Sequence, residues 1–229
     1  MSILEIFLSS VKLILSFDTL LFEIVFLSLR VSFSALIISS VFAIFIGYIL
    51  ALKNFYFKNI LIILLNSLMG IPPVVVGLIV YFIFSSQGPL GILELLYTPT
   101  AMIIAQIIII FPIVASLSHE VFSHNWKQFV DHFRSLNIPS LAIMLTLVKH
   151  SYFVLITVLL SAFGRAISEV GAVMIVGGNI DHYTRVMTTA ITLETRTGNL
   201  EYAMALGIIL IFFTMIINAA VYLFNVKRR

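Results

Sequence analysis

The chain has 229 residues, of which 61% are hydrophobic and only 10% are charged, with a formal net charge of +3. Soluble domains average about 45–50% apolar and about 25% charged residues, so this composition excludes an ordinary soluble enzyme or a disordered chain. Because a membrane-spanning helix needs about 20 apolar residues, about four to six spans fit, with no sizeable soluble domain left over. The chain has no cysteine, which excludes disulfides and thiolate metal sites.

Residues 1–18 predict an amphipathic helix that lies at the membrane interface. The apolar stretch 3–17 covers 15 residues, which is too short to span comfortably. Its polar residues recur at spacings of four, three and four, which defines one narrow polar stripe on a helix: Glu5, Ser9, Lys12 and Ser16. A signal peptide is not favoured, because the segment begins without positive charge.

Five longer apolar segments predict an all-α integral membrane protein, a polytopic bundle of five transmembrane helices. We expect the spans at 22–51, 60–85, 99–118, 151–177 and 203–226. They form one transmembrane domain over 19–229, with polar loops at 119–150 and 178–202.

The distribution of lysine and arginine predicts the orientation, because cytoplasmic loops carry an excess of both. Five spans put eight of these residues on one side: Lys53, Lys58, Lys127, Arg134, Lys149, Lys227, Arg228 and Arg229. Three lie on the other side: Lys12, Arg185 and Arg196. We therefore expect the C-terminus and the 119–150 loop in the cytoplasm, with the N-terminus and the 178–202 loop outside. The net charge of +3 is better explained by this topology than by nucleic-acid binding.

The first predicted span carries a stripe of small residues at spacings of four, three, four, four and four: Ser28, Ser32, Ala35, Ser39, Ala43 and Gly47. Small side chains allow another helix to approach closely. The stripe therefore predicts a packing surface.

The second predicted span is interrupted by Gly70, Pro72 and Pro73. Proline lacks the N–H that closes a helical hydrogen bond, so the helix should break here. Irregular backbone within a membrane is tolerated where it is buried in protein or lines a watery cavity. Both a pathway-lining hinge and a structural proline kink are consistent with these residues.

The fourth predicted span contains Arg165 and Glu169 near its middle, four residues apart and so on one helix face. An unpaired charge there costs at least about 2.5–3.5 kcal/mol, so we expect the two to pair. The pair can be a gate in a polar pathway or a structural link, and the residues alone favour the structural role.

The two polar loops contain candidates for metal binding and for docking. His119 and Glu120 begin like a zinc-protease helix, but position 123 is Ser123, so no metal site is predicted. The mixed apolar and charged stretch from Trp126 to Leu141 predicts a short cytoplasmic helix that docks a partner. The outer loop is rich in hydrogen-bonding groups, and its candidates for docking an external partner are Asn179, Asp181, Tyr183 and Arg185.

Several runs of the chain resemble the permease subunit of ABC importers for tungstate, a binding-protein-dependent type I permease family. The resemblance covers about residues 22–226 and is most specific from Phe163 to Ile180 and from Tyr183 to Ile191. The segments from Gly70 to Leu78 and from Thr98 to Gln106 resemble the family too. Related permeases for molybdate and sulfate share the core of Ser168, Glu169 and Gly171.

The resemblance implies a homodimeric permease in the inner membrane of a prokaryote, which imports an oxyanion by alternating access. It implies two copies of a cytoplasmic ATPase and an extracytoplasmic oxyanion-binding protein as partners. The chain lacks a phosphate-binding Gly-x4-Gly-Lys-Ser/Thr loop, so ATP and Mg²⁺ are expected on the ATPase, and this chain is expected to be neither an enzyme nor a cofactor binder. The candidates for the pathway or its gate are Gly70, Pro72, Pro73, Arg165, Ser168, Glu169 and Gly171.

The family's cytoplasmic coupling motif is degenerate in this chain. Its register gives Asp131 at the conserved acid and Asn137 at the glycine, which suits a left-handed backbone that asparagine also adopts. The resemblance therefore implies an ATPase contact formed by Asp131, Arg134, Leu136 and Asn137.

Three alternatives remain open at this point. The first is a molybdate or sulfate permease of the same class. The second is an intramembrane enzyme, although no Gly-x-Ser-Gly occurs and every histidine lies in or beside a loop. The third is a membrane scaffold that does not transport.

Overall fold

The computed structural model describes residues 3–226, with side chains described as far as Leu223. Lys227, Arg228 and Arg229, which the orientation prediction uses, lie outside this range. The helices are α1 (Ile3–Leu15), α2 (Thr19–Leu52), α3 (Lys58–Leu68), α4 (Pro73–Phe84), α5 (Pro99–Ser135), α6 (Ser140–His150), α7 (Tyr152–Ile167), α8 (Gly171–Gly177), α9 (Met187–Thr197) and α10 (Leu200–Val226). A 3₁₀ turn at Gly91–Leu93 precedes α5.

The predicted all-α membrane fold is confirmed, and the number of spans lies between three and five. Within the described residues, α2, α5 and α10 are each long and apolar enough to cross a bilayer. The number rises to five if each bent pair counts as one span, namely α3 with α4, bent by 105°, and α6 with α7, bent by 74°.

The core of the bundle is built on the close packing of α2 against α5. All members of the small-residue stripe of α2 are buried, as predicted. The two helices run in parallel, since Ser32 lies near Gln106 and Gly47 lies against Ala115 and Ser118. Apolar residues of α4, α7 and α8 complete this core, and a second cluster joins α2 with α9 and α10.

The N-terminal helix α1 packs on α10 rather than standing apart. Ser10 is buried and donates its hydroxyl hydrogen to the carbonyl oxygens of Ile6 and Glu201. With 13 residues α1 is too short to cross a bilayer, and its outer face exposes Ile3, Leu4 and Phe7. Its position at the membrane interface stays a prediction.

Two segments that the sequence analysis assigned to loops are largely helical. Residues 119–135 continue α5, so the short helix predicted at 126–141 is wrong: this stretch contains the end of α5, a turn and the start of α6. The outer segment 178–202 contains α9, whose first four residues are buried. Polar residues in these two segments indicate where the chain leaves the apolar layer. The helical hydrogen bonds nevertheless continue beyond that point.

Candidate functional site

The first break separates α3 from α4, at the place that Gly70 and the two prolines predict. Pro72 precedes α4 and Pro73 is its first residue, where the missing N–H costs nothing. The carbonyl oxygens freed by the break accept local bonds, from the Gly70 N–H to Ser67 and from the Ile71 N–H to Leu68, both at 3.2 Å. The carbonyl oxygens of Ser67 and Leu68 therefore find their partners within the bend itself.

The sequence predicts one span over 151–177. In the structure, a second break divides this span. Helix α7 ends at Ile167 and α8 begins at Gly171, so residues 168–170 are not helical. No proline causes this interruption. The break is supported by tertiary contacts, since side chains of two other helices bond the backbone there.

These supporting side chains are Gln106 of α5 and Thr188 of α9, both buried. Gln106 donates from Nε2 to the carbonyl oxygen of Ala166 at 3.1 Å. Thr188 donates from its hydroxyl to the carbonyl oxygen of Glu169 at 2.7 Å. Buried backbone carbonyls need such donors, because an unpaired polar group in hydrocarbon costs several kcal/mol. Neither residue is predicted from the sequence to belong to the site.

Arg165 and Glu169 form the predicted ion pair, with 2.8 Å between Nη1 and Oε2. The Glu169 side chain is 4% exposed, and its second oxygen accepts the N–H of Ala172 in the first turn of α8 at 3.0 Å. A carboxylate at a helix N-terminus interacts favourably with the helix dipole. The Arg165 side chain is 38% exposed. The pair thus joins the end of α7 to the beginning of α8.

The two breaks lie side by side. A Cβ atom built on Gly171 would lie 2.6 Å from Cγ2 of Val74, and one on Gly77 would lie 2.8 Å from Cα of Ala172. Helices α4 and α8 therefore begin next to each other and pack closely along their length. Paired half-helices that begin within the bilayer are typical of transporter sites.

The predicted coupling residues lie at the turn between α5 and α6. Asp131, Arg134, Leu136 and Asn137 are all exposed. Asn137 has φ of 49°, which confirms the left-handed backbone expected at the motif's glycine position. Leu136 is 71% exposed, and Leu141 and Leu145 on α6 are also exposed. This turn therefore presents an apolar surface.

The outer segment between α8 and α9 contains the predicted docking residues. Asp181 and Tyr183 are exposed, whereas Asn179 and Arg185 are half-buried. Arg185 is held by Asp181, at 2.7 Å between Nη1 and Oδ1.

His182, which the sequence analysis did not select, ties this outer segment to α2, with 2.9 Å between its Nδ1 and Oε2 of Glu23. The hydrogen bond to Glu23 raises the pKa of His182, and the charges of Glu23 and Asp181 raise it further. A raised histidine pKa means that the pair is complete below about pH 6.5 and is lost as pH rises through the shifted value.

We expect the 180–184 backbone to exchange amide hydrogens faster, relative to intrinsic rates, at pH 8.5 than at pH 6. Because exposed ion pairs are weak, the change should be less than about tenfold. Hydrogen exchange read by mass spectrometry checks this, with His182→Gln as the matched control. A variant that retains the full pH dependence would show that another group is responsible.

A helical bundle with two adjacent breaks and a charge pair beside one of them is typical of membrane transport proteins. The chain matches the family model of the binding-protein-dependent transport system inner membrane component over residues 43–229 and belongs to that family. The resemblance predicted from sequence is confirmed.

Three curated relatives are similar over much of their length. The tungstate uptake system permease protein TupB of Peptoclostridium acidaminophilum is 39% identical over 220 residues, which cover 96% of each chain. A probable anion ABC transporter permease of Haloferax volcanii is 40% identical, covering 88% of this chain and 89% of the relative. TupB of Campylobacter jejuni is 38% identical, covering 72% and 69%.

The protein is therefore a membrane-embedded ABC permease subunit and not an enzyme. Permeases of this family work with a binding protein and an ATPase. The intramembrane enzyme and the non-transporting scaffold are set aside on this evidence.

Proposed function

We propose that the chain forms the membrane pathway of a tungstate importer. The observation that carries this proposal is the similarity to two permeases named for tungstate uptake, at 39% and 38% identity. A relative named a sulfate permease, from Mesostigma viride, is only 26% identical and covers 67% of this chain. Tungstate is therefore preferred to sulfate as the cargo.

The working assembly would contain two copies of this chain, two ATPase subunits and an external oxyanion-binding protein. The N-terminus would face outward and the C-terminus the cytoplasm, in the inner membrane of a prokaryote. ATP and Mg²⁺ would bind to the ATPase, and this chain would bind no cofactor. Asp181 and Tyr183, which are exposed, are the stronger candidates for contact with the binding protein.

We assign the Arg165–Glu169 pair to the gate rather than to a purely structural role. The pair bridges a helix break, so a change in its geometry would move α8 relative to α7. The guanidinium of Arg165 is 38% exposed, which leaves it accessible to a passing anion. Ionisable residues within membrane spans usually mark substrate or ion pathways.

Uptake by the purified permease, reconstituted in vesicles with its ATPase and binding protein, tests the cargo. We expect ATP-dependent accumulation of tungstate, measured as tungsten inside the vesicles. An excess of unlabelled molybdate should compete weakly and sulfate not at all. Equal competition by sulfate would overturn the assignment of tungstate, and accumulation without ATP would overturn the importer itself.

Leu136→Asp should release the ATPase while the permease still inserts into the membrane. Leu136 is 71% exposed at the proposed docking turn, and an added charge is costly to bury in an apolar contact. Leu136→Met keeps the apolar side chain and serves as the matched control. Co-purification of the ATPase measures the effect, and an intact complex with Leu136→Asp would place the contact elsewhere.

A further inference from the structure

A groove between α7 and α10 has a mixed lining, in which polar side chains lie beside the apolar Leu160, Ile217 and Val221. It encloses about 280 Å³, and its polar or small residues are Ser161, Gly164, Ser168, Thr214 and Asn218. Ser161 and Gly164 come from α7, Ser168 from the break that follows it, and Thr214 and Asn218 from α10.

The polar residues of α10 are concentrated in this groove. Between Ala203 and Leu223, its only polar side chains are Thr214, Asn218 and Tyr222. Thr214 and Asn218 are four residues apart, so they share one face, and both lie near the middle of the helix. An amide that faces lipid tails at this depth lacks partners, so polar residues in spans usually face a protein interior or water.

On α7 the groove lies close in sequence to Arg165, which is not itself a lining residue. Arg165 follows Ser161 by four residues, so these two side chains share one face of α7, and Ser168 caps the end of that helix. The groove therefore extends from the helix break toward the N-terminal end of α7, which lies at Tyr152.

The groove offers hydrogen-bond acceptors rather than free hydroxyl donors. The hydroxyl groups of Ser161, Ser168 and Thr214 donate to carbonyl oxygens of their own helices, at 2.8 to 3.2 Å. The Asn218 amide likewise donates to the carbonyl oxygen of Thr214 at 2.8 Å. Such a surface binds water well but gives a tetrahedral dianion few donors. It suits passage of a hydrated ion rather than its capture.

We propose that this groove is filled with water and lines the cytoplasmic half of the oxyanion pathway. The inference rests on the proposed function, because it names the lining of that pathway. A hydrated oxyanion released at Arg165 would pass along Ser161, Thr214 and Asn218 toward the cytoplasm.

Cysteine accessibility tests the proposal, since the chain has no native cysteine. Single variants Ser161→Cys, Thr214→Cys and Asn218→Cys are made in the full permease complex and treated with the anionic reagent sulfonatoethyl methanethiosulfonate. The matched controls are Met215→Cys and Ala219→Cys, which lie at the same depths on α10 but outside the groove, and both positions are exposed.

We expect groove cysteines to react at least about tenfold faster than the controls, because only a hydrated thiol ionises readily to the reactive thiolate. Because cysteine is nearly isosteric with serine, Ser161→Cys still tests the proposal if Asn218→Cys fails to assemble. Modification of Asn218→Cys should also block uptake. Equal rates in groove and control positions would overturn the proposal.

The rates of cysteine modification can be measured without knowing which anion the permease transports. A complex that imports no tungstate but reacts rapidly in the groove would contradict the proposed function alone. Slow reaction in an importing complex would contradict the groove alone.

Discussion

Glu169→Ala is expected to destabilise the permease by about 1.5–3 kcal/mol, the usual range for hydrogen bonds to a charged group, because only one partner of the pair is fully buried. Glu169 is 4% exposed and bonds both the guanidinium of Arg165 and the first turn of α8. Its removal leaves the cation unpaired and the α8 N–H without an acceptor. Arg165→Ala should cause comparable harm, because it leaves the buried carboxylate without its counter-charge.

The double variant should lose less stability than the sum of the single variants, with a coupling of about 0.5–3 kcal/mol. Denaturant or thermal unfolding of the four proteins in detergent measures this cycle. Glu169→Gln is the control that keeps an oxygen acceptor for Ala172, while it removes the charge and places an amide NH2 group opposite Arg165. Strict additivity would show that the two side chains do not interact.

Gly47→Ala should also disrupt the fold, although alanine is the better helix former by about 1 kcal/mol. Its Cβ atom would lie 2.9 Å from the carbonyl oxygen of Ala115, the backbone nitrogen of His119 and Cβ of Ser118. None of these atoms can rotate away, so α2 and α5 must separate. Overpacking of this kind typically costs about 1–3 kcal/mol.

Gly207→Ala is the matched control, because a Cβ atom there meets nothing within 4 Å. It should raise the unfolding midpoint in detergent, whereas Gly47→Ala should lower it. If Gly47→Ala raises the midpoint as Gly207→Ala does, the close contact of α2 with α5 is wrong.

Much of the fold followed from the sequence because it depends on local or periodic signals. The stripe from Ser28 to Gly47 predicted the buried face of α2, and the pair of prolines predicted the bend before α4. The register of the coupling motif predicted the left-handed backbone of Asn137.

The second break could not be predicted, because it depends on contacts distant in sequence. Ser168, Glu169 and Val170 carry no helix-breaking residue, and the spacing of Arg165 and Glu169 fits an unbroken helix equally well. The break is stabilised by Gln106 and Thr188. The groove between α7 and α10 did have a signal in the sequence, because Thr214 and Asn218 lie four residues apart within an apolar span.

The helical continuation of α5 was missed for a different reason. Hydropathy falls where a helix leaves the bilayer, near residue 118, but the hydrogen bonds of α5 continue to Ser135. Composition therefore predicts where the membrane ends better than where a helix ends.

Tungstate uptake by the Arg165→Ala/Glu169→Ala double variant decides whether the helix break at this pair operates as a gate. The measurement uses a reconstituted complex whose dimer and bound ATPase have been verified, so a loss of assembly cannot imitate a loss of transport. We predict that the variant assembles and that its ATP-driven uptake falls to the level of vesicles without permease. Uptake at the unmodified rate would show that the pair is structural only.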